Sequence, residues 1–157
     1  TNGHIDDCAT FIAPGVVACI WTDDPDYPFY RQCHEIYETL SNATDAKGRK
    51  LKVYKLPMPE KPCFMSEEEA NSIDLVNPRT AQDEPQIASY MNYLVTNHGC
   101  IVPQYGDKND ALAVETLQKI YDETWGAGVY RCIGVDSRQV VYGGGNIHCI
   151  TQQEPSA

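Results

Sequence analysis

Apolar and polar positions fall into two periods along this chain, and the periods follow the same order twice. Ile5 to Ile12 suits a strand that runs into a turn at Ala13-Pro14-Gly15, and Pro-Gly is a strong turn signal. Val16 to Trp21 is a more apolar run, the pattern of a strand buried on both faces. After the polar loop Thr22–Pro28, the residues Ile36, Tyr37 and Leu40 recur at helical spacing, which predicts a helix from Phe29 to about Leu40. A turn at Asp45–Arg49 and a strand from Leu51 to Leu56 complete a strand-strand-helix-strand unit.

The second unit opens with a Tyr-rich strand candidate, Ile87 to Val95, a turn at Asn97-His98-Gly99 and a strand from Cys100 to Val102. An amphipathic helix follows from Asp110 to Tyr121 through Leu112, Val114, Leu117 and Ile120, and Val129 to Val135 is the next strand. Val140 to Tyr142 leads into Gly143-Gly144-Gly145. Beyond the glycines Ile147, Cys149 and Thr151 alternate with His148, Ile150 and Gln152, the pattern of a closing strand. Between the units, the proline-rich excursion Pro57–Pro85 carries Glu67-Glu68-Glu69 and a short helix for Ser66 to cap. Strands interleaved with helices indicate an α/β class. The repeat is one of pattern rather than sequence identity, and its order suits radial stacking about an axis.

Composition narrows this picture. With 157 residues and 42% hydrophobic content, the chain suffices for a single domain with a sizeable core. A net charge of −10 disfavours nucleic acid and anionic membrane surfaces as partners. It is compatible with steering a cationic ligand, but on charge alone plain solubility is the first reading, since many soluble proteins are acidic with no such ligand. Seven cysteines include no Cys-x-x-Cys pair, so a zinc ribbon or thioredoxin motif is unsupported. Cys19 and Cys100 stand in apolar strand contexts and read as buried hydrophobes in a reducing, cytoplasmic compartment. No apolar run approaches the ~20 residues of a membrane span, and no signal peptide opens the chain. The start at Thr1, without an initiator Met, leads us to expect the C-terminal portion of a longer polypeptide.

Cys149 is the candidate nucleophile, because a glycine run inside a strand is costly unless something approaches the backbone closely. The plainer alternative is a buried cysteine like Cys19. On a strand His148 faces away from Cys149, which excludes a His148–Cys149 dyad. His4 and Asp6 are two apart on a predicted strand and share a face. Taken alone, that pair reads as two polar groups on the wet side of a surface strand. Asp7 faces the other way and reads as structural, Cys8 as filler, His34 as packing and His98 as a turn residue. A metal site from His4, Asp6 and Cys149 lacks a close ligand pair and a fourth ligand, so no metal is expected.

Several motifs occur in a telling order: Thr1-Asn2-Gly3-His4-Ile5-Asp6, Trp21-Thr22-Asp23-Asp24, Leu40 to Lys50, Ala88-Ser89-Tyr90-Met91-Asn92-Tyr93, Val102 to Asp107 and Gly143 to Gln153. Together they resemble the C-terminal part of the agmatine deiminases, in the guanidine-modifying pentein superfamily. The resemblance covers essentially the whole chain. The Gly143–Gln153 segment is its most specific part, and Arg79–Gln86 departs from the family pattern.

The resemblance implies a five-bladed α/β propeller with the active site at its axis. Residues 1–157 would be the C-terminal portion of that single domain: two units and a closing strand, with the N-terminal blades and a further guanidinium-binding carboxylate absent. It implies a hydrolase of polyamine (putrescine) biosynthesis, converting agmatine to N-carbamoylputrescine and ammonia through an amidino-cysteine intermediate, with no metal or organic cofactor. Carried over by motif, Cys149 attacks the guanidinium carbon and Asp6 binds the guanidinium nitrogens. His4 protonates the departing ammonia and then deprotonates a water. Gly143, Gly144 and Gly145 leave room for the planar group, and Asn92 and Asp23 are channel residues. The implied partners are agmatine and the N-terminal portion of the same protein, with a homodimer as one assembly. The competing readings are a non-catalytic fragment or assembly subunit, and a related arginine deiminase or amidinotransferase. An arginine-specific site would need a cation facing the α-carboxylate.

Overall fold

The computed structural model describes residues 3–72 and 84–154. The first unit holds β1 (Ala9–Ala13), β2 (Val16–Trp21), α1 (Tyr30–Asn42) and β3 (Lys52–Pro57). β2 is central, antiparallel to β1 and parallel to β3. A parallel pair needs a long crossover, which α1 supplies. Val17, Ala18, Cys19 and Ile20 of β2 are all buried, as an unbroken apolar run requires when both faces of a strand are covered. The β1–β2 turn is Pro14-Gly15, with Gly15 at φ +80°. Proline followed by a positive-φ glycine is the residue pair of a type II turn.

The excursion carries α2 (Glu67–Asn71), begun as expected by Ser66. The Ser66 hydroxyl accepts from the Glu69 N–H at 3.2 Å and the Glu69 carboxylate accepts from the Ser66 N–H at 2.7 Å, a capping box. The second unit repeats the first with β4 (Leu94–Thr96), β5 (Gly99–Gln104), α3 (Asp110–Trp125) and β6 (Arg131–Asp136). β5 is central, antiparallel to β4 and parallel to β6. A short α4 (Arg138–Val141) leads to the glycines.

One core joins the units, with Ile20 and Leu56 from the first packed in the same cluster as Val102, Leu117 and Tyr121 from the second. α3 ties the junction. The Tyr54 hydroxyl donates to Glu123 at 2.7 Å, and the Trp125 indole N–H donates to the Ile12 carbonyl at 3.2 Å. The far face of the first sheet packs Ala9, Val17 and Cys19 under Ile36, Tyr37 and Leu40 of α1. Among the described residues no helix is long and apolar enough to cross a membrane.

Three expected strands differ, and all three bear on the site. Ile5 to Ile12 is not one strand: Ile5–Asp7 is a 3₁₀ turn and β1 begins at Ala9. Aspartate is poor in ladders and favours turns, and Ile5 is 72% exposed, so its side chain anchors no strand face. Of Ile87 to Val95, only Leu94 and Val95 lie in a strand. Ala88 to Tyr93 is buried coil, apolar because it is covered on every side rather than on one. The closing strand is also absent: residues 147–150 form a turn, with the Ile150 N–H on the Asn146 carbonyl at 3.2 Å and the Thr151 N–H on the His148 carbonyl at 3.0 Å. Local side chains hold this turn, since Asn146 Oδ1 accepts from the Ile147 N–H at 2.8 Å and Thr151 Oγ1 donates to the His148 carbonyl at 2.9 Å. Such bonds offer the backbone an alternative to a ladder. Thr1, Asn2 and most of the Arg79–Gln86 departure lie outside the described residues.

Candidate active site

Three irregular segments converge: the 3₁₀ turn at Ile5–Asp7, the buried coil at Ser89–Tyr93 and the turn at 147–150. The buried coil is wired rather than paired. Ser89 Oγ donates to the Asp7 carbonyl at 2.7 Å and accepts from the Met91 N–H at 3.1 Å, and the Tyr105 hydroxyl donates to the Ser89 carbonyl at 3.0 Å. A buried loop is stable only when its polar backbone finds such partners.

The glycines set Cys149 directly. Gly144 has φ +86°, a conformation that side chains resist. A Cβ on Gly145 would lie 2.8 Å from Cys149 Cβ and 2.9 Å from its Sγ. Gly145 therefore accommodates the cysteine side chain itself. All seven cysteines are unpaired; Cys149 is exposed, Cys8 half-buried and the other five buried. Exposure separates Cys149 from the space-filling cysteines, Cys19 and Cys100 among them.

Cys149 Sγ donates to Asp6 Oδ2 at 3.1 Å, and His148 Nδ1 lies 2.9 Å from the same oxygen. The Asn92 amide sits beneath, completely buried. Its nitrogen lies 2.8 Å from Asp7 Oδ1, 3.0 Å from Cys149 Sγ and 3.2 Å from Asp6 Oδ2. Its Oδ1 accepts the backbone N–H of His148 at 2.9 Å and of Cys149 at 3.2 Å. Asp6, Asp7 and Cys149 also bring one potential ligand atom each within 4.8 Å, one donor short of a tetrahedral protein site.

The two adjacent carboxyls are pushed apart electrostatically. Burial raises Asp6, but hydrogen bonds from His148 and Cys149 outweigh it and hold the carboxyl below its ordinary value. Burial lifts Asp7 to about 6, against the Asn92 hydrogen bond and with help from the Asp6 charge. Its Oδ2 is buried and has no hydrogen-bond partner among the described residues, as a neutral carboxyl tolerates better than a charged one. The Cys149 thiol is raised by burial and by Asp6, with partial relief from a backbone hydrogen bond at Asn146 and from the Asn92 amide.

The structure thus brings Cys149, Asp6 and Asn92 together. His4 precedes them, with its carbonyl accepting from the Asp7 N–H at 3.2 Å and its side chain exposed. Asp23 accepts from the Trp21 indole at 3.0 Å and lines a groove of ≈ 390 Å³ with Trp21, Lys55 and Glu60, which none of the cluster residues lines. His148, which strand alternation excluded, stands on Asp6 because the segment is a turn. Its partner is the carboxylate rather than the thiol. Asp7 is a buried member of the cluster. Asn92, expected in the channel, is sealed beneath it. An amide inside the apolar run Ser89-Tyr90-Met91-Asn92-Tyr93 was the available signal for such a hub, since buried polar groups need partners. His34 packs as read, its ring 4.0 Å from Trp21 and 4.1 Å from Tyr30.

Residues 1–155 match the family described as Porphyromonas-type peptidyl-arginine deiminase. A Streptococcus mutans protein provisionally named an agmatine deiminase is 49% identical over 158 residues, covering 99% of this chain and 41% of that protein. An Enterococcus faecalis relative of the same provisional name is 51% identical over 157 residues, with the same coverage. Among solved structures, the agmatine deiminase of Enterococcus faecalis catalysing its reaction superposes with a TM-score of 0.89 at 50% identity, over 99% of this chain and 41% of that one. The C. jejuni agmatine deiminase with substrate bound gives 0.68 at 26% identity, over 94% of this chain and 36% of that one. The chain therefore spans about two-fifths of the length of the curated relatives it matches. An exposed cysteine on a carboxylate, at the end of a glycine turn, stands here in a chain about half identical to proteins named agmatine deiminase, and the chain belongs to the Porphyromonas-type peptidyl-arginine deiminase family.

Proposed function

We propose that this chain is the C-terminal portion of a cytoplasmic agmatine deiminase, a single propeller domain completed by N-terminal blades of the same polypeptide. The observation that carries the reading is the contact between the exposed Cys149 thiol and the Asp6 carboxylate, in a chain about half identical to agmatine deiminases. The repeated strand-strand-helix-strand unit supports the propeller, and the unpaired cysteines support a reducing compartment.

In the resting site the thiol is neutral and donates to Asp6. An arriving guanidinium is a cation with parallel N–H donors, the complement of a carboxylate. It takes over Asp6 and, by its charge, favours the thiolate, the thiol proton passing to solvent at the exposed Cys149. The thiolate attacks the guanidinium carbon, which lies in reach because Asp6 holds the group beside Sγ. His4 passes a proton to the departing nitrogen, and ammonia leaves with its bonding pair. An amidino-cysteine remains. His4 then takes a proton from water, the hydroxide adds to the amidino carbon, and the C–S bond breaks to give a urea and the free cysteine.

The test is ammonia release from agmatine by the full-length polypeptide. Wild-type turnover with none in Cys149→Ala, and an amidino adduct on wild-type Cys149 in quenched samples, is the expected result. Turnover undiminished in Cys149→Ala would remove the nucleophile. Release from arginine or peptidyl-arginine but not agmatine would move the activity to the substrate in the family's description.

A further inference from the structure

We infer that Asn92 is a positioning residue, whose one buried amide both fixes the backbone that carries Cys149 and aims a hydrogen-bond donor at its sulfur. The inference rests on Cys149 being the nucleophile, as proposed above.

The orientation of the amide is determined by its neighbours. Its oxygen faces two backbone N–H groups, those of His148 at 2.9 Å and Cys149 at 3.2 Å. A flipped amide would set its NH₂ against those two donors, and its oxygen against Asp7 and Asp6. Amide assignments follow from the network in this way. The Asn92 carbonyl also lies 3.2 Å from the His148 N–H, so this one residue meets the nucleophile turn with both its main chain and its side chain.

The nitrogen carries two protons for three acceptors: Asp7 Oδ1 at 2.8 Å, Cys149 Sγ at 3.0 Å and Asp6 Oδ2 at 3.2 Å. Asp6 is the most distant. When a guanidinium engages Asp6, both protons are free for Asp7 and sulfur, at the moment a thiolate must be stabilised. Asp7 is buried and accepts one of them, which holds the amide in its plane. An N–H donor on sulfur stabilises the thiolate over the thiol, and the Asn92 hydrogen bond acts on Cys149 in that direction.

The test measures the pH dependence of Cys149 alkylation by iodoacetamide in the full-length protein, with Cys149→Ala as the background. Asn92→Asp is isosteric and keeps an oxygen for the two backbone N–H groups while losing the donor. Asn92→Ala loses the donor without adding charge. Both variants should alkylate at least tenfold more slowly at neutral pH, with the alkylation midpoint moved up by a unit or more and the kcat/KM profile for agmatine moved the same way. A purely structural role would lower Tm and leave the midpoint unchanged; a folded variant with a wild-type midpoint overturns the inference. In the wild-type protein, the Asn92 side-chain amide resonances should move with the Cys149 titration. Static resonances would overturn it equally, whether or not the variants fold. Alkylation needs no agmatine, so a wild-type protein inert toward agmatine would sink the proposed activity while this test still reads out.

Discussion

Asp6 and Cys149 are 143 positions apart in the chain, and the thiol of one donates to the carboxylate of the other at 3.1 Å. The contact acts in opposite senses on the free site and on the reaction. Asp6 raises the resting thiol by hydrogen bond and charge, after burial, yet it is the group that holds a guanidinium. Asp6→Asn should therefore alkylate faster than wild type at neutral pH while losing at least ~100-fold in kcat/KM for agmatine. Parallel changes in the two measurements would contradict the assignment.

The glycine run gives a steric prediction. Gly145→Ala places a Cβ 2.8 Å from Cys149 Cβ and 2.9 Å from Sγ, so the nucleophile must move. We expect a loss of about 1–3 kcal/mol in stability from overpacking. The loss of turnover should be disproportionate, on the order of 100-fold for a displacement near 1 Å. Urea melts set against steady-state kinetics separate the two.

Asp7 predicts an unusual pH slope. Its carboxyl is raised from an ordinary 3.8 to about 6, so between those values the folded state binds more proton than the unfolded. Stability then falls as pH rises through that window, and the penalty is fully present above about 6. Asp7→Asn should flatten this slope and stabilise the protein at pH 7–8 by on the order of 2 kcal/mol. Its amide oxygen can still accept from Asn92. Chemical denaturation at pH 4.5 and 7.5 checks both sign and size.

His4 and His148 divide the acid–base question. His148 stands on Asp6 at 2.9 Å, where its ring orients the carboxylate. His4→Asn should abolish ammonia release and leave no amidino-cysteine, because the leaving group then lacks its proton. His148→Asn should retain the intermediate and raise KM more than it lowers kcat. Rapid-quench mass spectrometry of Cys149 distinguishes the two outcomes.

Arg138 fastens the excursion to the second unit. Its guanidinium reaches Glu69 Oε1 at 3.1 Å and the Phe64 carbonyl at 3.0 Å, and the Tyr142 hydroxyl donates to the same carboxylate. Arg138 holds Glu69 down at about 2, with the Ser66 N–H and Tyr142 assisting. The contribution is present above the ordinary carboxylate range and is lost as pH falls toward 2. Arg138→Met should cost about 1 kcal/mol, a figure reduced for partial solvent screening. It should also speed proteolysis between Phe64 and Asn71, measured on native protein.

The sequence by itself determined the elements whose signal is local. Apolar periodicity marked α1 and α3, an unbroken apolar run marked β2, Pro14-Gly15 marked its turn, and Ser66 marked the start of α2. It also singled out Cys149 and, through the family's motifs, Asp6. Tertiary structure decided everything that depends on which sides of a segment are covered. Alternation around Cys149 reads as a strand, but Asn146 and Thr151 capture the backbone and make it a turn, and this brings His148 onto Asp6. The apolar run at Ala88–Tyr93 reads as a strand, but it is buried all round and its backbone is satisfied by Ser89 and Tyr105 instead of a ladder. Asn92 gains its role only from groups 57, 85 and 86 positions away. Periodicity reports one face of one segment; a hydrogen-bond hub is made by three segments meeting, and no pattern within any one of them encodes that encounter.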